Sequence, residues 1–113
     1  MNIDDQPNLI NLDGTKCWYK NGRRHRDNDL PARITINGDQ FWYKNGKNHR
    51  DNDKPAAVYV DGSKKWFQHG KLHRDYDRPA VIRANGYKEW YQNNFCYCCK
   101  VIIEEVDWTK EGF

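Results

Sequence analysis

The chain has 113 residues, enough for one small domain, and it is polar, with 37% hydrophobic and 31% charged residues. A chain of this length and composition buries limited apolar surface, which predicts a slender domain rather than a thick core. The net charge of +3 comes from 19 Lys and Arg intermixed with 16 Asp and Glu. This balance excludes a strongly acidic mimic of nucleic acid and favours a solvated surface of mixed charge. Aromatic residues make up 14% of the chain, which argues against disorder.

The sequence shows no signal for export or membrane insertion. No apolar run approaches the ~20 residues of a membrane span, and the opening MNIDDQPNLI lacks the charged and apolar parts of a leader. The four cysteines are not spread in pairs as in a secreted disulfide framework; they are Cys17, Cys96, Cys98 and Cys99. We therefore expect reduced thiols and a cytoplasmic location.

The dominant feature is an internal repeat with a period of 24 residues. The triplet His-Arg-Asp occurs at 25–27, 49–51 and 73–75. Three further registers recur without a gap: Gly14, Gly38, Gly62 and Gly86, then Trp18, Trp42, Trp66 and Trp90, and then Pro7, Pro31, Pro55 and Pro79. Such a period is typical of units that bury their apolar face only against their neighbours. We place the units at 4–27, 28–51, 52–75 and 76–99, followed by an irregular C-terminal cap at 100–113.

Each unit contains two turn signals between short alternating runs. The first is an Asp-Gly or Asn-Gly pair, as at Asp61-Gly62, which is the strongest short-range indicator of a β-hairpin. The second lies at Asn21-Gly22, Asn45-Gly46, His69-Gly70 and Asn93-Asn94, residues suited to positive φ. No window shows helical spacing over three turns, and only the tail after Cys99 is a candidate helix. The sequence predicts an all-β fold, an elongated antiparallel meander of four 24-residue hairpin repeats.

Two-residue loops at both turns would fix the pairing of the strands. Counting back from the first turn sets Ile10 opposite Cys17 and Leu9 opposite Trp18. Counting across the second sets each Trp opposite the following His, as in Trp18 and His25, and Trp90 opposite Tyr97.

This register divides the side chains between two faces. One face reads as the core and carries Ile10, Ile34, Val58 and Ile82, then Leu12, Ile36, Val60 and Ala84, and the aromatic residues Tyr19, Tyr43, Phe67 and Tyr91. The other face is amphipathic and carries the Trp and His columns among Lys16, Lys20, Lys44, Lys64 and Lys88, with Arg33 and Arg83 nearby.

The pattern Gly-x-x-x-aromatic-aromatic-x-x-Gly-Lys, best seen in Gly38, Trp42, Tyr43, Gly46 and Lys47, resembles the MORN-repeat group over residues 4–99. That group places a glycine soon after the Gly-Lys turn, where this chain has His-Arg-Asp. The His-Arg-Asp-x-Asp-x-Pro-Ala variant is similar to divergent repeats in predicted proteins of large DNA viruses and bacteriophages. The resemblance implies a single-layer sheet of stacked hairpins that acts as a scaffold for protein or lipid contacts, with no shared catalytic residues.

The His-Arg-Asp triplet also occurs in the catalytic loop of protein kinases, but the context is missing. The chain has no Gly-rich phosphate loop, no strand lysine paired to a helix glutamate and no Asp-Phe-Gly metal site. The triplet is better explained as a turn in which Asx side chains bond the backbone. We expect Arg26, Arg50 and Arg74 to pair with neighbouring aspartates, Asp29, Asp53 and Asp77 included, as an ion ladder between units.

The Trp and His columns are either packing or a repeated binding surface, and we favour packing, although both roles are compatible. Histidines two or three strands apart are separated by ~10 to 15 Å, too far for one shared zinc ion. The Asp-Asn-Asp loops lack the glycine and distal glutamate of an EF-hand calcium site. We expect no cofactor.

The last unit departs from the pattern at Phe95-Cys96-Tyr97-Cys98-Cys99-Lys100. Terminal repeats are commonly atypical because they cap the stack. The cysteines lack Cys-x2-Cys spacing, so burial as small apolar residues is favoured over a metal cluster. The run Val101-Ile102-Ile103 is a candidate edge strand with Trp108 folding back, and an exposed edge would allow a homodimer.

The function we predict is a non-enzymatic binding module that contacts a partner protein through its repeated aromatic and cationic rows. The resemblance to viral and phage repeats implies that the module is itself a viral or phage protein that acts on a host complex, in the host cytoplasm. The predicted partner-binding residues are Trp18, Trp42, Trp66, Trp90, His25, His49, His73, Lys20, Lys44 and Arg50. The alternative is a nucleic-acid or nucleoprotein binder, because Trp interleaved with Lys offers stacking platforms beside phosphate-neutralising charge. A phospholipid-surface binder is a third interpretation.

Overall fold

The computed structural model describes residues 5–101, which form a chain of short β-strands. The strands are β1 Leu9–Ile10, β2 Lys16–Cys17, β3 Tyr19–Lys20, β4 Arg23–Arg24, β5 Arg33–Ile34, β6 Gln40–Phe41, β7 Tyr43–Lys44, β8 Lys47–Asn48, β9 Ala57–Val58, β10 Lys64–Lys65, β11 Phe67–Gln68, β12 Lys71–Leu72, β13 Val81–Ile82, β14 Tyr87–Gln92 and β15 Phe95–Val101. The predicted tail helix and the position of Trp108 lie outside the described residues. Within residues 5–101, no helix is long and apolar enough to cross a membrane.

The strands form an antiparallel meander, as the repeat predicts. Nine of them make one sheet in the order β1-β2-β5-β6-β9-β10-β13-β14-β15. Three small hairpins, β3-β4, β7-β8 and β11-β12, accompany this sheet. The first three units each contribute one hairpin of each kind, whereas the fourth extends both of its last strands into the main sheet. The described chain is elongated, with extents of 59 × 26 × 25 Å.

The second turn of each unit has the predicted two-residue form in the first three units. Asn21 and Gly22 adopt φ values of 53° and 75°, the left-handed conformations that a tight hairpin turn requires. Tyr19 therefore pairs with Arg24, and the His25 N–H donates to the Trp18 carbonyl at 3.0 Å. The predicted pairing of Trp with His is confirmed in these units.

The first turn differs from the prediction. The Asn11 N–H donates to the Thr15 carbonyl, so the loop holds three residues, Leu12 to Gly14, with Gly14 at φ 92°. The additional loop residue shifts the register by one position: Ile10 pairs with Lys16, and Leu9 with Cys17. The predicted pairs of Ile10 with Cys17 and of Leu9 with Trp18 are wrong.

The fourth unit carries a further correction. Trp90 pairs with Cys98 rather than Tyr97, because a β-bulge interrupts the β14–β15 register between Trp90 and Tyr91. A bulge opposes two residues of one strand to one of the other, and Tyr97 is the additional residue here.

The predicted core face is not the buried one, which follows from the shifted register at the first turn. Five of its residues are exposed, and the other seven are only half-buried: Ile34, Val58, Ile82, Tyr19, Tyr43, Phe67 and Tyr91. Ile10 is 59% exposed and Leu12 is fully exposed. The four aliphatic residues of this face that lie in strands, Ile10, Ile34, Val58 and Ile82, pair with polar residues, as Ile34 does with Lys16 and Gln40. The residues that are buried instead share the Trp and Ala columns: Trp18, Trp42, Trp66, Ala32, Ala56 and Ala80, together with Cys17, Ala57 and Val81. The interpretation of the Trp column as packing is therefore confirmed for the first three units.

Candidate partner-binding clefts

The histidine of each triplet joins its own unit to the next. His25 Nε2 lies 2.8 Å from Asp27 Oδ1, and the backbone N–H of Asn45, in the following unit, donates to His25 Nδ1 at 3.1 Å. Because Nδ1 accepts a hydrogen bond, the proton of the neutral ring is on Nε2, which donates to Asp27. The same arrangement recurs at His49 with Asp51 and the His69 N–H, and at His73 with Asp75 and the Asn93 N–H.

The arginine of each triplet binds the beginning of its own unit and the unit that follows. Arg50 Nε and Nη2 donate to the two carboxylate oxygens of Asp29 at 2.9 and 3.3 Å. Its Nη1 donates to the Pro55 carbonyl at 3.1 Å, and its Cζ lies 3.8 Å from the centroid of the Trp42 ring. The Trp42 indole donates to the backbone carbonyl of Asp29 at 3.0 Å. Trp42 and Arg50 thus hold Asp29 at the beginning of their own unit, and Arg50 also reaches Pro55 in the next unit.

This joint is repeated at two other positions. Arg26 and Trp18 hold Asp5, and Arg74 and Trp66 hold Asp53. The predicted pairing of these three arginines with recurring aspartates is confirmed, but each pair lies within one unit, so the prediction of an arginine ladder between units is wrong. Among the described residues, the ion pairs that cross a unit boundary are those of Lys54 with Asp29 and of Arg78 with Asp53.

Hydrogen bonding to the charged form lowers the pKa of a carboxyl. The arginine hydrogen bond is the main cause of the lowered pKa of Asp5, Asp29 and Asp53. The histidine hydrogen bond is the main cause of the lowered pKa of Asp27 and Asp51. These aspartates are therefore held as carboxylates at neutral pH.

The fourth unit keeps only part of the joint. The Trp90 indole donates to the Asp77 carbonyl at 3.1 Å, as in the other units, but Cys98 stands where the arginine would be. The Tyr97 hydroxyl lies 3.4 Å from the Asp77 carboxylate in its place. Trp90 is also less buried than the other three tryptophans. The joint at the end of the described chain is weaker.

Each joint forms the wall of a cleft that opens to the surface, and the clefts bring together most of the predicted partner-binding residues. One of about 250 Å³ is lined by Trp18, Lys20 and His25 among others. A second, of about 170 Å³, includes Trp42, Lys44, His49 and Arg50. A third of the same volume includes Trp66 and His73.

The cleft surface is charged rather than aromatic. Lys20 and Asp27 lie 3.3 Å apart and both side chains are more than half exposed. Lys44 and Asp51 repeat the pair at 3.7 Å. The tryptophan rings lie beneath the arginine guanidinium groups and are at most 7% exposed in the first three units. A bound molecule would therefore meet mainly the Lys and Asp side chains.

The sequence analysis did not predict that two consecutive residues after each His-Arg-Asp triplet have left-handed backbone conformations, which orient the side chains of the cleft. Asn28 and Asp29 have φ values of 66° and 57°, and Asn52 and Asp53 repeat them at 65° and 56°. Tyr76 occupies the same position in the third joint at φ 63°. Asn and Asp at consecutive positions were the available signal, since these residues tolerate the left-handed region best.

A second link between units was also missed. The Arg24 guanidinium lies between two rings, 5.7 Å from the centroid of Tyr19 and 4.9 Å from that of Tyr43 in the next unit. Nothing in the period distinguishes Arg24 from the exposed Arg23 beside it.

Comparison with protein-family models, with curated proteins and with solved structures finds no match to this chain. The resemblance to the MORN-repeat group therefore stays a prediction based on the repeat pattern. Within residues 5–101, no three His, Cys, Asp or Glu side chains are grouped so as to hold a metal ion.

Proposed function

We propose that the protein is a non-enzymatic binding module that holds an extended segment of a partner protein along its row of clefts. The observation that carries this proposal is the recurrence of one cleft at successive joints, each lined by the Trp, His, Arg and Asp of its unit, with Gln68 in the third cleft where Lys20 and Lys44 line the first two. A repeated surface fits a repeated ligand, and an extended polypeptide repeats its backbone at every residue.

The spacing of the clefts supports an extended partner. Neighbouring strands lie about 4.8 Å apart, so units of two strands recur about every 9.6 Å along the sheet. An extended chain rises about 3.3 Å per residue, and a polyproline II helix advances about 9.3 Å in three residues. Every third side chain of such a segment would meet an equivalent cleft.

The chemistry of the clefts favours polar and charged partner side chains. Lys44 and Asp51 are 51% and 62% exposed, and exposed ion pairs contribute only about 0 to 1 kcal/mol. A partner that supplies its own carboxylate, amide or guanidinium therefore replaces such a pair at low cost. The buried Trp42 and its Arg50 support the cleft wall from below.

An exposed aromatic residue adds an anchor at the third joint. Tyr76 is 82% exposed, and the Arg78 guanidinium lies 5.5 Å from its ring centroid. Tyr and Arg are among the residue types enriched in interface hot spots. The rigid sheet presents them without a large ordering cost.

Nucleic-acid binding is the second candidate, and a row of cations at the small hairpin turns favours it. Arg23, Lys47 and Lys71 are exposed and recur every 24 residues. Arg23 lies against Gly46 and Lys47 against Gly70, so that these side chains run in line across the units. Such a row matches the charge of a phosphate backbone. The carboxylates of Asp27, Asp51 and Asp75 in the clefts oppose that charge.

The two candidates are separated by capture from a cell lysate with and without nuclease, using the wild-type chain and two variants. The cleft variant is Lys44→Glu, which reverses an exposed charge of the cleft and leaves Asp51 in place as the partner of His49. The matched control is Lys64→Glu, an exposed position in β10 of the main sheet. We expect a protein partner that survives nuclease, is lost with the cleft variant and is retained with the control.

Nuclease-sensitive recovery would favour the nucleic-acid candidate instead. A further readout is salt, since affinity for phosphates falls steeply with salt in proportion to the number neutralised. A partner held by polar and aromatic contacts responds less. Sedimentation of the purified chain with anionic vesicles, together with no protein or nucleic acid captured from the lysate, would favour the phospholipid interpretation.

A further inference from the structure

The bulge in the last hairpin places two cysteines side by side. Cys96 and Cys99 are three residues apart in β15, and in a regular strand such residues point to opposite faces. Tyr97 is the additional residue of the bulge, so Cys96 pairs with Tyr91 and Cys99 with Glu89. Residues two apart on β14 share a face, as the hydrogen bond of 2.8 Å from the Tyr91 hydroxyl to Glu89 confirms. The two sulfur atoms lie 2.8 Å apart.

We propose that Cys96 and Cys99 form a reversible intramolecular disulfide, which makes this hairpin a site of thiol oxidation. A disulfide bond is about 2.04 Å long, so the sulfur atoms have to approach by roughly 0.8 Å from the observed contact. Cys99 is exposed and Cys96 is half-buried, whereas Cys17 is buried. A small oxidant in solution therefore reaches this pair.

The separation of the sulfur atoms argues against a zinc site. Two thiolates on a tetrahedral zinc ion, each about 2.3 Å from the metal, lie about 3.8 Å from each other. The observed contact is shorter by an ångström. The described part of the chain also supplies no group of three metal-binding side chains.

Cys98 is the neighbour that does not take part. It pairs with Trp90, one position from Glu89, so its side chain points to the opposite face of the hairpin. Cys98 therefore serves as a control, because it is next to Cys99 in sequence but should not form the disulfide.

A small disulfide such as oxidised glutathione supplies the oxidising equivalents. The thiolate of one cysteine attacks a sulfur of glutathione disulfide, whose sulfur–sulfur bond breaks and releases one glutathione thiolate. The second cysteine loses its proton to solvent and attacks the protein sulfur of the mixed disulfide, releasing the second glutathione. Two protein thiols are oxidised and one glutathione disulfide is reduced to two thiols.

The bond would fix the bulged register of the last hairpin. If the two strands paired without the bulge, Trp90 would lie opposite Tyr97, as each earlier tryptophan lies opposite its histidine. In that register Cys96 and Cys99 would point to opposite faces. A disulfide between them is compatible only with the bulge and therefore holds β15 in place at the edge of the sheet.

The experiment incubates the full chain with oxidised glutathione under native conditions and measures its intact mass, followed by peptide mapping. We expect the wild type and the matched control Cys98→Ser to lose two hydrogen atoms, with the bond mapped to Cys96 and Cys99. Cys96→Ser and Cys99→Ser should stop at a mixed disulfide with one glutathione. The wild-type result does not depend on the folding of any variant.

Two outcomes would overturn the proposal. One is a wild-type chain that carries only mixed disulfides, as the single variants should. The other is an internal bond that maps to Cys98 and disappears in Cys98→Ser.

Discussion

The guanidinium of Arg50 joins two units: it donates to both carboxylate oxygens of Asp29 in its own unit, at 2.9 and 3.3 Å, and to the Pro55 carbonyl of the next unit at 3.1 Å. Its central carbon lies 3.8 Å from the ring centroid of Trp42. The side chain is only 16% exposed. One residue thus provides an ion pair, a hydrogen bond to the Pro55 carbonyl and a ring contact. The joint between units therefore consists of the Arg50–Asp29 ion pair packed on the ring of Trp42.

Replacement of Arg50 by Lys should destabilise the protein by about 1 to 3 kcal/mol. Lys keeps the charge but cannot reproduce the paired hydrogen bonds to Asp29 or the planar contact with Trp42, and hydrogen bonds to charged groups are each worth about 1.5 to 3 kcal/mol. The urea midpoint measures the loss. Lys54→Ala is the matched control, because Lys54 pairs with the same carboxylate at 3.0 Å but is 50% exposed, and it should cost under about 1 kcal/mol. Equal losses for the two variants would contradict this account.

The three copies of the histidine corner should contribute independently to stability. Asp27→Asn, Asp51→Asn and Asp75→Asn each weaken one hydrogen bond to a histidine ring. We expect the largest loss at Asp51, because the His49 side chain is 5% exposed against 13% and 15% for His25 and His73. The copies share few partners, so their effects should add in the triple variant. Urea midpoints of the three single variants and the triple variant test this.

One outcome would reopen the enzymatic interpretation of the His-Arg-Asp triplet. If Asp51→Asn abolished an activity while leaving the urea midpoint unchanged, the corner would not be merely structural. Loss of partner capture in proportion to loss of stability would be consistent with a structural corner.

The repeat and the two-residue turns were predictable because each rests on local chemistry. Asn21-Gly22 supplies two residues that tolerate positive φ, and the pairing of Trp18 with His25 follows by counting. Asp13-Gly14 fits a two-residue loop equally well in sequence. The deciding residue is Leu12, which the alternating pattern assigns to a strand and which the fold leaves fully exposed in the loop.

The core was not predictable from the pattern of large apolar residues. Ala32, Ala56 and Ala80 are fully buried, and each carbonyl accepts a hydrogen bond from the N–H of a tryptophan, as Ala32 does from Trp18 at 2.8 Å. The recurrence of Ala every 24 residues was the available signal that another strand packs closely at these positions. The pairing of Arg with Asp was predictable in outline, because the two residue types recur together, whereas its placement within each unit was not. Which recurring aspartate meets arginine and which meets histidine depends on the left-handed corner between them.

Acid should destabilise the protein through its aspartates. The Arg50 hydrogen bond lowers the pKa of Asp29 in the folded state, and Arg74 does the same for Asp53. A carboxyl with a lowered folded pKa stabilises the fold above its unfolded pKa of about 3.9, and this contribution is lost as the pH falls through the lower folded value. The urea midpoint should therefore fall below about pH 4. Asp29→Asn should be less stable at neutral pH and show a shallower fall. An equally steep fall in this variant would exclude Asp29 as a contributor.

Deletion of one whole unit, residues 52–75, should leave a folded and shorter sheet. The Asn93 N–H now donates to Nδ1 of His73 and would find the equivalent acceptor on His49, since the joints are chemically alike. Deletion of residues 52–63 should abolish cooperative folding, because it removes one hairpin strand and its turn and leaves the register of the next strand unmatched. Circular dichroism and urea unfolding of both deletions provide the test. Non-cooperative unfolding of the whole-unit deletion would contradict the equivalence of the joints.

The substitution Tyr76→Asn should stabilise the protein. Tyr76 has φ 63° where the equivalent residues of the preceding joints are Asn28 and Asn52. Left-handed backbone costs most side chains about 1 to 2 kcal/mol, and Asn visits it more readily because its short side chain bonds locally. Tyr76 is 82% exposed, so little packing is lost with the ring. We expect a gain of about 1 kcal/mol in the free energy of unfolding, with Asn52→Tyr as the matched reverse change and a loss of similar size.

If Tyr76 is the aromatic anchor that we propose, Tyr76→Asn should weaken partner capture while raising the urea midpoint. A variant that gains stability and keeps full capture would remove Tyr76 from the binding surface.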